Sequence, residues 1–436
     1  MPITPRTLSG FKDKLPHEAY AKSKMIKSLI ESFESFGFPP IETPHLEYAE
    51  ILKKQGSDEI QKEMYHFKDH GDREVALRFD LTVPLARFLA QYKNELGLPF
   101  KRYCIGNVFR GERAQRGRYR EFTQCDFDIL GTNSIGADCE IIQVIYASLK
   151  NLGLENFTIN INNRKIFNGL CSYLSLENQV VEILRIIDKI DKIGLDSVKL
   201  ELSEKLKLND KDIEFLIDFL NIKQEGCTNG IFTKLEKYKI LDSKLQEGIA
   251  ELEELCNLLE NIIPSKNYKI NLSIARGLGY YTGIIYETTL DDLQDLGSVC
   301  SGGRYDNLIS NFSSDNISGV GASIGLDRLL AGLESLQLIK ANNPANAIII
   351  PLNNLKYAYK IAKNLRENGL NIEVYGEVVK PKKSLQYANN KNYKWAIILG
   401  EEEEKTNTLT LKNMLDGSQN TETIESTLSI LNNCGK

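Results

Sequence analysis

No stretch of this 436-residue chain is apolar for the length that a bilayer crossing needs, which sets aside a helical membrane span. Its eight cysteines, at positions 104, 125, 139, 171, 227, 256, 300 and 434, include no CxxC pair. Neither a zinc site nor a redox dithiol is therefore signalled, and reduced, packed thiols are expected. Histidine is scarce, at four residues. His66 and His70 have the spacing of a helical metal pair, but MYHFKDHGDRE reads as a hairpin turning at Gly71, so both are expected to be structural. An excess of positive charge is also missing: 54 Lys and Arg face 59 Asp and Glu, a net charge of −5. That balance excludes a protein that coats nucleic acid by bulk charge and leaves local patches to choose partners. The opening MPITPRTLSGFKDKLP has neither the apolar core of a signal peptide nor the composition of a transit peptide, so a cytoplasmic location is expected. The length predicts two or three domains.

What is present is a concentration of charge between Lys101 and Gly131. Seven basic residues stand there against one glutamate, Glu112, before Glu121, Asp126 and Asp128 reverse the sign. The segment reads as a clamp for a polyanion beside a pocket for a cation. Tyr103, Ile105, Asn107 and Phe109, then Phe122, Gln124, Asp126 and Asp128, have the period of two expected of strands. Two antiparallel strands joined by the intervening loop would aim Arg110, Glu112, Gln124 and Asp128 from one face toward a common site.

This segment resembles motif 2 of class II aminoacyl-tRNA synthetases. SIARGLGYYTG (273–283) and CSGGRYD (300–306) resemble the two boxes peculiar to the histidyl-tRNA synthetases, and GVGASIGLDRLL (319–330) resembles motif 3. The helical stripe of residues 17 to 36, ending at Gly37 before an extended Pro-bearing segment with Pro44, is similar to motif 1, which builds the homodimer interface in that family. The resemblance runs essentially from end to end. It implies an α+β catalytic domain built on an antiparallel sheet (1–173 and 265–340), a helical insertion (174–264) and a C-terminal α/β anticodon-binding domain (345–436). In this last part, 12 Lys and Arg face 10 Asp and Glu, and strand and helix patterns alternate in the manner of a parallel sheet covered by helices.

The resemblance also implies roles. Arg110 would hold the α-phosphate of ATP and the amino-acid carboxylate, Glu112 the adenine amino group, and Arg118 and Arg328 the γ-phosphate. Arg276 would stand on the other side of the α-phosphate, making Arg110 and Arg276 the catalytic pair. Asp128 and Tyr281 would take the two imidazole nitrogens of L-histidine, with Tyr280 lining the pocket. Asp80 and Thr82 would serve its α-ammonium, Gln124 would complete the amino-acid site, and Leu81 and Arg276 would also belong to the histidine-binding set. ATP with Mg²⁺, L-histidine and the histidine tRNA are the implied cofactors and partners, and no membrane or resident metal site is implied. One departure stands out: the first box usually reads Arg-Gly-Leu-Asp-Tyr-Tyr, and Gly279 replaces the aspartate. Read without the resemblance, Asp80-Leu81-Thr82 is a helix cap ahead of Pro84. The competing function is a non-aminoacylating paralogue that regulates a phosphoribosyltransferase of histidine biosynthesis, which typically lacks the C-terminal domain and degrades the motif arginines.

Overall fold

The computed structural model describes all residues except 1–2, 55–57, 114–116, 188, 223–228, 275–280, 307–309, 311, 313–316, 339–343 and 434–436. Two compact units form, one of residues 1–13 and 22–339, the other of residues 14–21 and 340–436.

In the first unit, three short strands, β1 (Leu46–Tyr48), β2 (His66–Lys68) and β3 (Glu74–Leu77), pair in the order β1-β3-β2. β2 and β3 are the expected hairpin. Asp69 closes its turn, accepting from the backbone N–H of Gly71 at 2.8 Å and of Arg73 at 3.0 Å. Seven more strands follow: β4 (Phe100–Phe109), β5 (Glu121–Leu130), β6 (Phe157–Asn163), β7 (Tyr268–Ile270), β8 (Ile284–Leu290), β9 (Ser298–Tyr305) and β10 (Gly319–Gly325). They build one sheet in the order β4-β5-β10-β9-β8-β6-β7, antiparallel except for the β6–β7 pair. The helix Pro16–Ser35 lays Met25, Leu29 and Phe33 against this sheet, with the Phe33 ring 5.0 Å from that of Phe127. Burying each such side chain contributes about 1.5–3 kcal/mol.

Among the described residues between 174 and 264 only helices occur, as the apolar stripes predict. The last of them, Ser243–Leu259, crosses the helix Arg164–Tyr173 at close range. A Cβ on Gly169 would lie 2.5 Å from the Leu245 nitrogen, so a residue without a side chain is what lets these helices meet.

The second unit carries β11 (Ala347–Pro351), β12 (Ile372–Val374), β13 (Trp395–Leu399), β14 (Leu409–Asn413) and β15 (Gln419–Glu422), in the order β12-β11-β13-β14-β15. The first three run parallel, as expected. The sheet as a whole is mixed, because β14 and β15 add an antiparallel hairpin that the alternation of strand and helix patterns does not announce. Their sequences, LTLKN and QNTE, hold few apolar residues; the turn between them is tied by Asp416, which accepts from the Ser418 backbone at 2.8 Å. The six described cysteines are free and buried. No described helix is long and apolar enough to cross a membrane.

Candidate active site

β5 organises the site. Because alternate side chains share a face, Phe122, Gln124, Asp126 and Asp128 all point into one cavity of about 500 Å³. From Phe122 to Asp128 the strand advances six residues, about 20 Å. β10 runs antiparallel beside it, with Gly325 opposite Gln124 and Gly321 opposite Asp128. The helix Leu326–Ser335 therefore starts near the Phe122 end.

That end is basic. Arg110, just past β4, donates Nε to the Phe79 carbonyl at 2.9 Å and lies over the Phe122 ring, 5.1 Å from its centre. Arg328, in the first turn of its helix, donates Nη1 to the Ser298 carbonyl at 2.6 Å. Arg118 has Nη1 3.6 Å from the Glu112 carboxylate and keeps 42% of its side chain exposed. All four residues line the cavity. Neutral carbonyls help orient Arg110 and Arg328, and arginines held in this way suit binding of a polyanion.

The other end is acidic and dry. Arg102 is fully buried, with Nη2 2.6 Å from Asp128 Oδ2. The Tyr305 hydroxyl donates to the other Asp128 oxygen. Burial pushes the Asp128 pKa up while Arg102 and Tyr305 pull it back. Asp126 is held less firmly: burial carries its pKa to about 7 against the opposing pull of Arg102. Gly321 makes room for this cluster, since a Cβ there would lie 1.9 Å from Asp128 Oδ1. Asp80 accepts from the Val83 backbone at 3.0 Å at the start of the helix Thr82–Tyr92. It is thus a helix cap and a cavity-lining carboxylate at once, with its pKa raised by burial.

The cavity thus gathers Asp80, Thr82, Arg110, Glu112, Arg118, Gln124, Asp128, Tyr281 and Arg328. Leu81 differs: its side chain packs with Cys104 and Val108 in the core, so the cavity lining does not include it. Arg276 and Tyr280, like Gly279, lie outside the described residues. Reading the sequence for site residues passed over Arg102, Asp126, Tyr305 and Ser323. Asp126 had a signal, the same parity as Gln124 and Asp128. Arg102 and Ser323 had none, because only strand register places them opposite Asp128 and Asp126.

A family profile described as histidyl-tRNA synthetase matches residues 10–329. The chain belongs to the histidyl-tRNA synthetase family. A second profile, for an anticodon binding domain, matches residues 346–433. The histidine–tRNA ligase of Wolinella succinogenes is 59% identical over 421 residues, covering 96% of this chain and 95% of that one. That of Helicobacter hepaticus is 56% identical, covering 96% of each. The crystal structure of a histidyl-tRNA synthetase from Nostoc sp. PCC 7120 superposes with a TM-score of 0.90 at 34% identity, over 99% of this chain and 100% of that one. Family membership and the antiparallel sheet together place the chain in the class II synthetase fold, with a C-terminal anticodon-binding domain.

Proposed function

We propose that the chain is a histidine–tRNA ligase whose single cavity performs both half-reactions. The observation that carries this reading is one cavity that gathers Arg110, Arg118 and Arg328 around the Phe122 end of β5 and the buried carboxylates of Asp126 and Asp128 further along the same strand. In the first step a carboxylate oxygen of L-histidine attacks the α-phosphorus of ATP. The bond to the β-phosphate breaks, pyrophosphate leaves and histidyl-adenylate remains. In the second, a hydroxyl of the terminal ribose of the histidine tRNA attacks the acyl carbon and AMP departs. Two anionic groups must meet in the first step, so fixed positive charge lowers its barrier.

Arg110 bridges the α-phosphate and the carboxylate, Arg118 and Arg328 hold the γ-phosphate, and Glu112 accepts from the adenine amino group. Arg276 completes the positive charge around the α-phosphate. Neutral imidazole has one N–H and one lone pair. Asp128, tied to Arg102 and Tyr305, accepts the N–H; Tyr281 meets the other nitrogen, with Tyr280 beside it. Asp80, Thr82 and Gln124 surround the α-ammonium. Mg²⁺ would come as part of the nucleotide complex, bridging phosphate oxygens as it does wherever it keeps most of its water ligands.

The working form is a cytoplasmic homodimer joined through the region around Gly37 to Leu46, as a self-complementary apolar surface favours. Residues 174–264 act as an inserted helical domain between two parts of the catalytic core, 1–173 and 265–340, and residues 345–436 read the anticodon side of the tRNA.

Exchange of labelled pyrophosphate into ATP tests the assignment. It should depend on histidine and not on glutamine, asparagine or phenylalanine, because a pocket that hydrogen-bonds imidazole rejects ligands leaving its buried groups unpaired by roughly 10⁴-fold. Comparable exchange with another amino acid, or none with histidine as a regulatory paralogue would give, sinks it.

A further inference from the structure

We propose that Asp126 is a positioning residue that acts through Ser323 to set the Gln124 amide, turning its carbonyl oxygen rather than its NH₂ toward the substrate ammonium. This rests on the reading above that Gln124 faces that ammonium. Ser323 stands directly across from Asp126 on β10 and hydrogen-bonds its carboxylate. Gln124 Nε2 donates to the same Ser323 oxygen at 2.7 Å. A serine hydroxyl has one proton to give, and an ionised carboxylate only accepts. The Ser323 proton therefore goes to Asp126, and the Ser323 oxygen can only receive from Gln124. The amide must then turn its nitrogen to Ser323. Its Oε1 is left buried, without a hydrogen-bond partner, on a residue that lines the cavity together with Asp80 and Asp128. An acceptor so placed suits a cation, whereas an NH₂ in its place would repel one.

Without the Asp126 carboxylate this logic fails. The Ser323 hydroxyl becomes free to donate to Gln124 Oε1, the amide reverses, and a donor faces the ammonium. The effect reaches the substrate through two residues, and only a ligand that carries the ammonium feels it.

The test uses the full-length protein at pH 8, where Asp126 is ionised. Binding of histidinol, which keeps the ammonium, is compared with that of imidazolepropionate, which lacks it. Asp126→Ala should weaken histidinol by about 10–100-fold, the range for a hydrogen bond to a charged group, and leave imidazolepropionate within about threefold. Ser323→Ala, which removes the relay without touching a buried charge, should give the same selective loss and carries the test alone if Asp126→Ala does not fold. Asp126→Asn, whose side-chain oxygen still accepts from Ser323, should bind both ligands like the wild type. Equal weakening of both ligands, or no weakening of either, overturns the positioning role. If the wild type itself shows no histidine-dependent exchange, the functional reading fails first and this inference with it.

Discussion

The two ends of the cavity hold their charges in opposite ways. At the basic end, Arg110 and Arg328 are steered by the carbonyls of Phe79 and Ser298, and Arg118 stays partly in solvent. At the acidic end, Asp126, Asp128 and Arg102 are taken out of water together, and each depends on the others. A phosphate brings several charges of its own and tolerates cations that remain hydrated. A small zwitterion such as an amino acid must be recognised group by group, so the partners of its ammonium and side chain are fixed in a dry, over-determined network. Charge is therefore cheap to remove from the first end as far as folding goes and costly to remove from the second.

The largest effect should come from breaking the dry end. Arg102→Met leaves Asp128 buried without its cation and should lower stability by about 3–5 kcal/mol, read from denaturant unfolding. Arg110→Ala is the matching cut at the basic end. It should slow pyrophosphate exchange by roughly 10²–10³-fold while the melting temperature stays close to wild type. A comparable loss of stability would mean that the two ends are not built differently. Arg118→Ala should be milder, raising KM for ATP by about tenfold with stability unchanged within about 0.5 kcal/mol.

A pH profile sharpens the contrast further. The Asp126 pKa rises from 3.8 to about 7 on folding, so between those two pH values the native state holds a proton that the unfolded chain has released. Its contribution to stability is present at low pH and is lost as pH rises through about 7. Asp126→Asn should flatten that part of the stability profile of the ligand-free protein; an unchanged slope would mean that another group causes it. The smallest effect on the cavity is expected from cutting the chain near Pro344. Every described residue that lines the cavity lies between Glu63 and Arg328, so adenylate formation should stay within about twofold while charging of tRNA falls. Loss of adenylation in a folded, dimeric truncation would show that the second unit belongs to the catalytic body.

Much of this was legible along the chain because it follows from local rules. Period-two alternation around Asn107 and Gln124 marks a hairpin, and the helix after Gly325 follows from the spacing of Leu326, Leu329 and Leu330. The motif blocks made the family recognisable and named nine of the residues that meet in the cavity. Leu81 shows the limit of carrying a motif over whole: within Asp80-Leu81-Thr82, at the start of a helix, the outer two line the cavity and the middle one turns into the core. The hairpin of β14 and β15 escaped because β14 offers only Leu409 and Leu411 as a buried face and β15, QNTE, has no apolar residue at all.

By itself the sequence determined the kinds of charge available and their order, since composition and periodicity are properties of neighbours along the chain. Which of those groups meet was decided only by tertiary structure. Asp126 and Ser323 lie almost 200 residues apart, and their pairing depends on the register of β5 against β10. A shift of one residue would turn every side chain of β10 to the opposite face of the sheet and separate them.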